Sequence, residues 1–251
     1  MSIKGKIFLS INIVLIASVL ICNYFYLSLV DTSLQAVCSG LFVAIGFTNL
    51  LYAVICREKN IKFNILVVVA LVCAFIADMT IDGNFVFGVI FFAVEHICFY
   101  FSYCMLERMS RVDLMISAIV LFCGGSIIVY SPFLEVPDVI MQNAGLVYAA
   151  IISLMTGKAI SNFIRIKNPL TLTVLIGSVV FFFSDIMLVF DQFLGGGRSF
   201  AFIACISLYY PAQCLLALSS FFSVGSGLSS NMIKDTGIYD SDYRHYNLEQ
   251  S

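Results

Sequence analysis

Long apolar runs, each about the length that crosses a bilayer, alternate with short polar breaks along this chain. A spanning helix needs about 20 residues, and eight such runs can be laid out: about residues 6–27, 34–56, 61–81, 85–106, 112–130, 136–156, 169–190 and 200–224. The breaks carry charge or turn chemistry. Arg57, Glu58, Lys59 and Lys62 follow the second run, Asp82 and a Gly83-Asn84 turn follow the third, Ser131-Pro132 follows the fifth, and Gly195-Gly196-Gly197 follows the seventh. The pattern predicts an all-α, polytopic membrane protein with eight transmembrane helices. One eight-helix transmembrane domain fills residues 1–224, and residues 225–251 form a polar cytoplasmic tail, expected to be disordered. Lys4 and Lys6 precede the first run as in a signal peptide. That run is too long for a signal core and no small-x-small site follows it, so it is read as an uncleaved anchor.

Composition agrees with lipid as the solvent. Apolar residues make up 61% and charged residues 11%, with a mean hydropathy of +1.02, against about 45–50% and about 25% in soluble domains. Charge then fixes the orientation. With the N-terminus cytoplasmic, the inner segments collect Lys4, Lys6, Arg57, Lys59, Lys62, Arg108, Arg111, Lys158, Arg165, Lys167, Lys234 and Arg244, and the outer ones only Arg198. The positive-inside rule therefore puts both termini in the cytoplasm, as an even number of spans requires. A plasma or inner membrane is expected rather than an endomembrane. The net charge of -2 adds nothing, and no basic patch with interleaved aromatics suggests nucleic acid. The nine cysteines contain no CxxC pair and sit mostly in apolar runs, where a thiol acts as a small hydrophobe. No disulfide framework, metal cluster or cofactor is expected. With no Trp in the chain, any interfacial belt falls to Tyr.

The remaining information lies in the few polar groups inside the runs. The stretch 177–193, GSVVFFFSDIMLVFDQF, holds Ser184 and Asp185 side by side. An aspartate at a helix centre costs about 2.5–3.5 kcal/mol on insertion scales and usually marks a site. Asp78 lies about 17 residues into the third run and Asp185 about 16 into the seventh, roughly 26 and 24 Å from the inner end at the helical rise. Both fall in the outer part of the membrane core. Glu95 and His96 fall mid-helix in the fourth run, with Phe92 and Tyr100 on the His96 face; Tyr210 and Gln213 share a face of the eighth, and Pro211 between them can kink it. Ser184, Gln142, Asn143, Tyr100 and Tyr148 serve equally well as polar glue between helices. Asp82 reads equally as a solvated helix end, and Glu95 as a site residue or a partner for His96. His245, in the tail, is given no role.

Three chemistries compete for this set. A zinc hydrolase usually needs three protein ligands, often histidines, and only His96 lies in the membrane. A Ser184-His96-Asp185 triad is formally available, but adjacent residues on a helix point about 100° apart, and no nucleophile-elbow motif is present. A carboxyl pair remains, with one acid protonated and its neighbour ionised to give an acid and a base. Asp78 and Asp185 are expected to meet across the third and seventh helices and share one proton. A non-enzymatic lipid transporter or lipid-binding protein would also want buried carboxylates and a kinked helix.

Several segments carry a resemblance: AFIAD (74–78), GVIFFAVEHICFY (88–100), GSVVFFFSD (177–185) and LYYPAQCLLALS (208–219). Their order and spacing resemble the YhhN family of membrane proteins, which includes the lysoplasmalogenases. The chain departs from the family pattern at Ala77, where a glycine is usual, and at Glu95, where an uncharged residue is usual. The resemblance implies hydrolysis of the vinyl ether bond of lysoplasmalogen, a lysophospholipid taken from the membrane lipid, to a fatty aldehyde and a glycerophospho-alcohol. It implies Asp78 and Asp185 as the catalytic pair, with His96, Ser184, Tyr210 and Gln213 binding or orienting the substrate. Glu95, Tyr100 and Asp82 complete the candidate set on the reading of the residues. Vinyl ethers are cleaved by protonating the β-carbon, which needs an acid and a nearby anion and no metal.

Overall fold

Among the described residues, eight helices follow one another: α1 (Ile3–Leu29), α2 (Thr32–Ile55), α3 (Ile61–Ile81), α4 (Phe85–Cys104), α5 (Arg111–Tyr130), α6 (Val139–Arg165), α7 (Pro169–Leu194) and α8 (Phe200–Ser223). The computed structural model describes residues 2–58, 61–130, 139–194 and 200–224. The Ser131-Pro132 break, the start of the sixth run at residue 136, the Gly195–Gly197 loop and Lys59, Arg198, Lys234, Arg244 and His245 lie outside the described residues, as does the tail from residue 225. Among the described residues, seven helices are long and apolar enough to cross a membrane. The chain is an all-α, multi-pass integral membrane protein.

Local chemistry sets the helix starts. Ser2, Asp31 and Asn84 cap α1, α2 and α4, their side-chain oxygens accepting from the amides of Gly5, Ser33 and Phe87. Each cap satisfies an amide that the first turn cannot bond internally. Pro211 sits inside α8 without ending it.

Packing is centred on α8, which touches α1, α2, α3 and α7. Helices α4 and α6 close the arrangement on the other side, and α5 packs extensively only on α6. Burial follows this order. On α1 only a narrow stripe, Gly5, Asn12, Val19, Asn23 and Tyr26, turns inward. Its spacing of seven, seven, four and three is that of a helix seam. Ile13, Val14, Ile21 and Phe25 face outward to lipid. Lipid is as apolar as leucine, so association rests on close approach and interhelical hydrogen bonds. Both are present. A Cβ on Gly88 would lie 2.8 Å from the Ile81 Cα, so the backbones of α3 and α4 approach closely there; one on Gly177 would lie 2.6 Å from Leu216 Cδ2, which draws α7 onto α8. Asn12 and Asn49 exchange hydrogen bonds, and Asn49 donates onward to the Ala217 carbonyl at 3.0 Å, tying α1, α2 and α8.

Two helices run past their expected ends, α6 to Arg165 and α7 to Leu194. Lys158, which the pattern assigns to an inner segment, lies within α6 and is internally neutralised. Lys158 is fully buried, and its ammonium donates to Asp113 Oδ2 at 2.8 Å and to the Arg108 carbonyl at 3.0 Å. Asp113 also accepts from Ser161 at 2.5 Å and Arg165 at 2.6 Å. This cluster fastens α5 and the α4–α5 connection to α6.

Candidate active site

Two close-packed helix pairs bring the carboxylates to one place. Helices α3 and α4 carry Asp78 and His96, and α7 and α8 carry Asp185 and Tyr209. Asp78 stands in the last turn of α3, and its Oδ2 accepts from the Ser39 hydroxyl at 2.5 Å and the Tyr209 hydroxyl at 3.0 Å. Gln35 donates to the Asp78 backbone carbonyl at 2.9 Å. The Tyr209 ring is fixed by edge contacts with Phe42, Phe92 and Phe181.

Asp185 has a separate set of partners. Its Oδ2 accepts from the Tyr148 hydroxyl at 2.6 Å and lies 3.1 Å from His96 Nε2. Nε2 is also 2.9 Å from the Tyr148 oxygen. Tyr148 donates to Asp185, and His96 Nε2 stands within hydrogen-bond distance of both oxygens. His96 Nδ1 is buried with no partner. The imidazole is fully buried and stands edge-on to Phe181 at 4.8 Å. It is held behind Asp185 and is not among the residues that line the cavity shared by Asp78 and Asp185.

Asp78 and Asp185 line one polar cavity of about 340 Å³, together with Tyr26, Gln35, Asp82, Ser184, Tyr209 and Tyr210. Each acid thus has one oxygen anchored by two neighbouring groups. No hydrogen bond joins the two carboxyls, so the expected proton-sharing contact is replaced by two separately anchored acids facing one space. Asp82 is exposed at the rim, just past α3, and partial burial raises its carboxyl above the ordinary value.

Other candidates fall elsewhere. Gln213 donates to Glu95 Oε1 at 2.7 Å, and both are fully buried away from the cavity. Glu95 pairs with α8 rather than with His96 because neighbouring residues on a helix diverge by about 100°. Tyr100 shares the helical face of His96, but its hydroxyl reaches Met109 Sδ at 3.5 Å, one turn beyond the site. Tyr210 lines the cavity and stands edge-on to Tyr26, while its neighbour Tyr209 makes the bond to Asp78. Ser184 lines the cavity and donates to the Cys205 carbonyl at 3.0 Å, as helix glue does. Since His96 bonds Asp185 and Ser184 turns to α8, no triad is assembled. Among the described residues no group of three His, Cys, Asp or Glu is placed to hold a metal ion.

Sequence reasoning passed over Ser39, Gln35 and Tyr209, and read Tyr148 only as glue. The adjacent Tyr209-Tyr210 pair was the available signal, but only packing against α2 and α3 decides which hydroxyl meets Asp78.

The chain matches the YhhN family over residues 38–220. No curated protein and no solved structure matches it. The matched segment holds all of α3 to α7, most of α2 and α8, and every residue bonded to the Asp78 and Asp185 carboxyl oxygens, while Gln35 falls just before it.

Proposed function

The chain belongs to the YhhN family, and from that premise we propose that it is a membrane-embedded hydrolase cleaving the vinyl ether bond of a lysoplasmalogen-type lipid, releasing a fatty aldehyde and a glycerophospho-alcohol. The observation that carries this reading is the pair of separately anchored carboxyls, Asp78 and Asp185, facing one polar cavity. Vinyl ether hydrolysis asks for such a pair. One acid delivers a proton to the β-carbon and becomes an anion beside the oxocarbenium ion it has created. The other takes a proton from the water that adds to the α-carbon. The hemiacetal then collapses: the second acid returns its proton to the ether oxygen as the glycerol alcohol leaves, and the first recovers one from the hemiacetal hydroxyl. Both carboxyls end as they began, and one water is consumed.

The surrounding groups have roles in that cycle. Ser39 and Tyr209 hold one oxygen of Asp78, and Tyr148 and His96 hold one of Asp185, leaving the other oxygen of each for the reaction. Anchoring of this kind fixes the acids before the charge develops, which is where enzymes gain most. The low dielectric of the bundle strengthens the attraction between the carboxylate and the cationic intermediate.

The test is aldehyde release by purified protein from 1-alkenyl lysophospholipid in detergent. Asp78→Asn and Asp185→Asn each keep the shape and cannot donate an acidic proton. Each is expected to lose about 10²–10⁴-fold in turnover with expression unchanged. Near wild-type turnover in either variant overturns the pair. Binding of the lipid with no aldehyde from any vinyl ether would make the protein a lipid carrier or receptor.

A further inference from the structure

A second cavity of about 350 Å³ lies between α4, α6 and α7, and its wall is apolar apart from Tyr148 and Asp185. It adjoins the polar cavity: Phe85, Asp185 and Leu188 line both. Val86, Ile90 and Val147 on its outer edge are exposed, so it opens to lipid. Along α4 it runs from Phe85 to Ala93, about 12 Å at the helical rise. Phe85 and Phe193 stand edge-on across its outer end, 6.3 Å apart.

We propose that this groove binds the alkyl chain of the substrate and so sets the direction in which the lipid lies across the two acids. A polar chamber and an adjoining apolar groove that share Asp185 in their walls fit a single-chain amphiphile, with its headgroup in the chamber and its chain in the groove. The proposal rests on the vinyl ether reading for its catalytic consequence. In such a lipid the β-carbon is on the chain side of the double bond and the α-carbon on the glycerol side. With the chain in the groove, the β-carbon lies at Asp185, which borders both cavities. The α-carbon then lies on the side of Asp78, which borders only the polar one. Asp185 is therefore the proton donor, held in place by Tyr148 and His96, and Asp78 is the group that takes the proton from water. The groove guides more than it holds, because a chain gains little on leaving bilayer for an equally apolar wall.

The experiment uses a saturated ether lysophospholipid, which has no vinyl bond to cleave, carrying a diazirine at mid-chain, with the full-length protein in nanodiscs. Light is expected to place the label on α4, α6 and α7 beside the groove, with excess unlabelled ether lysophospholipid competing it away. Ala93→Phe, which fills the groove, is expected to abolish that label. In the hydrolysis assay it should shift the preference from long to short alkenyl chains by about tenfold or more. Label spread evenly over lipid-facing helices such as α1, without competition, would mean that the groove holds only bulk lipid and would overturn the proposal. So would an unchanged chain-length ratio in Ala93→Phe. Because the labelling needs no hydrolysis, competed label in the groove with no aldehyde from any vinyl ether keeps the chain site and removes only the hydrolase reading. The wild-type label map stands as a test even if Ala93→Phe fails to fold.

Discussion

At the scale of single residues, the account turns on which oxygens are free. Tyr148 gives its proton to Asp185 Oδ2 at 2.6 Å. A hydrogen bond to a charged group is worth about 1.5–3 kcal/mol, so Tyr148→Phe should lower turnover about ten- to hundredfold and leave lipid binding intact, as measured by aldehyde release and by competed labelling. Unchanged turnover would reduce Tyr148 to packing. His96→Ala should lower turnover with the protein still folded, since it removes the ring behind Asp185. Asp78, Asp185 and His96 were legible in the sequence because an ionisable group in an apolar run is costly and stands out. Ser39, Tyr148 and Tyr209 were not. A hydroxyl inside a membrane helix costs little and is common as glue, so its role shows only when another helix places a carboxyl against it. The expectation that Asp78 and Asp185 share a proton came from matched depth along two helices. Depth says nothing of azimuth, and azimuth gives each acid its own partners.

At the scale of elements, close approach and one buried ion cluster do the positioning. Gly88 meets the backbone of Ile81, which cannot yield, whereas Gly177 meets the flexible end of Leu216. Gly88→Ala should therefore cost more thermal stability in detergent, and more turnover, than Gly177→Ala. The reverse order would contradict this view of how α3 and α4 carry Asp78 and His96. The cluster between α5 and α6 makes a sharper prediction. Asp113→Ala leaves the buried Lys158 without its counter-charge, and breaking a buried pair costs about 3–5 kcal/mol. Its unfolding temperature should fall markedly, and adding Lys158→Met should restore much of the loss. The helix count followed from apolar runs, and most boundaries fell within a few residues of the pattern. α6 overran because Lys158 looked like a loop charge. Its partner, Asp113, lies on another helix, and a one-dimensional pattern carries no sign of that pairing.

At the scale of the whole molecule, the basic residues give a topology that can be checked directly. They fall almost entirely in segments on one side, so a reporter fused after Ser251 should stay cytoplasmic. Export at that point would overturn the orientation and the depth assigned to the acids. The all-α, multi-pass architecture was legible from the runs alone. The central place of α8 was not, because an apolar helix reads alike whether it faces lipid or protein. That place lets one helix deliver Tyr209 to Asp78 and Gln213 to Glu95 while packing on α7 beside Asp185. The central claim is that the two acids protonate carbon and then direct water. Its most direct measurement is hydrolysis of 1-alkenyl lysophospholipid by the purified protein in D2O, with mass analysis of the aldehyde. The account predicts one deuterium on the carbon next to the carbonyl, and aldehyde release lowered about 10²–10⁴-fold in Asp185→Asn. Aldehyde without deuterium at that carbon, or no aldehyde from the wild-type protein, would contradict it.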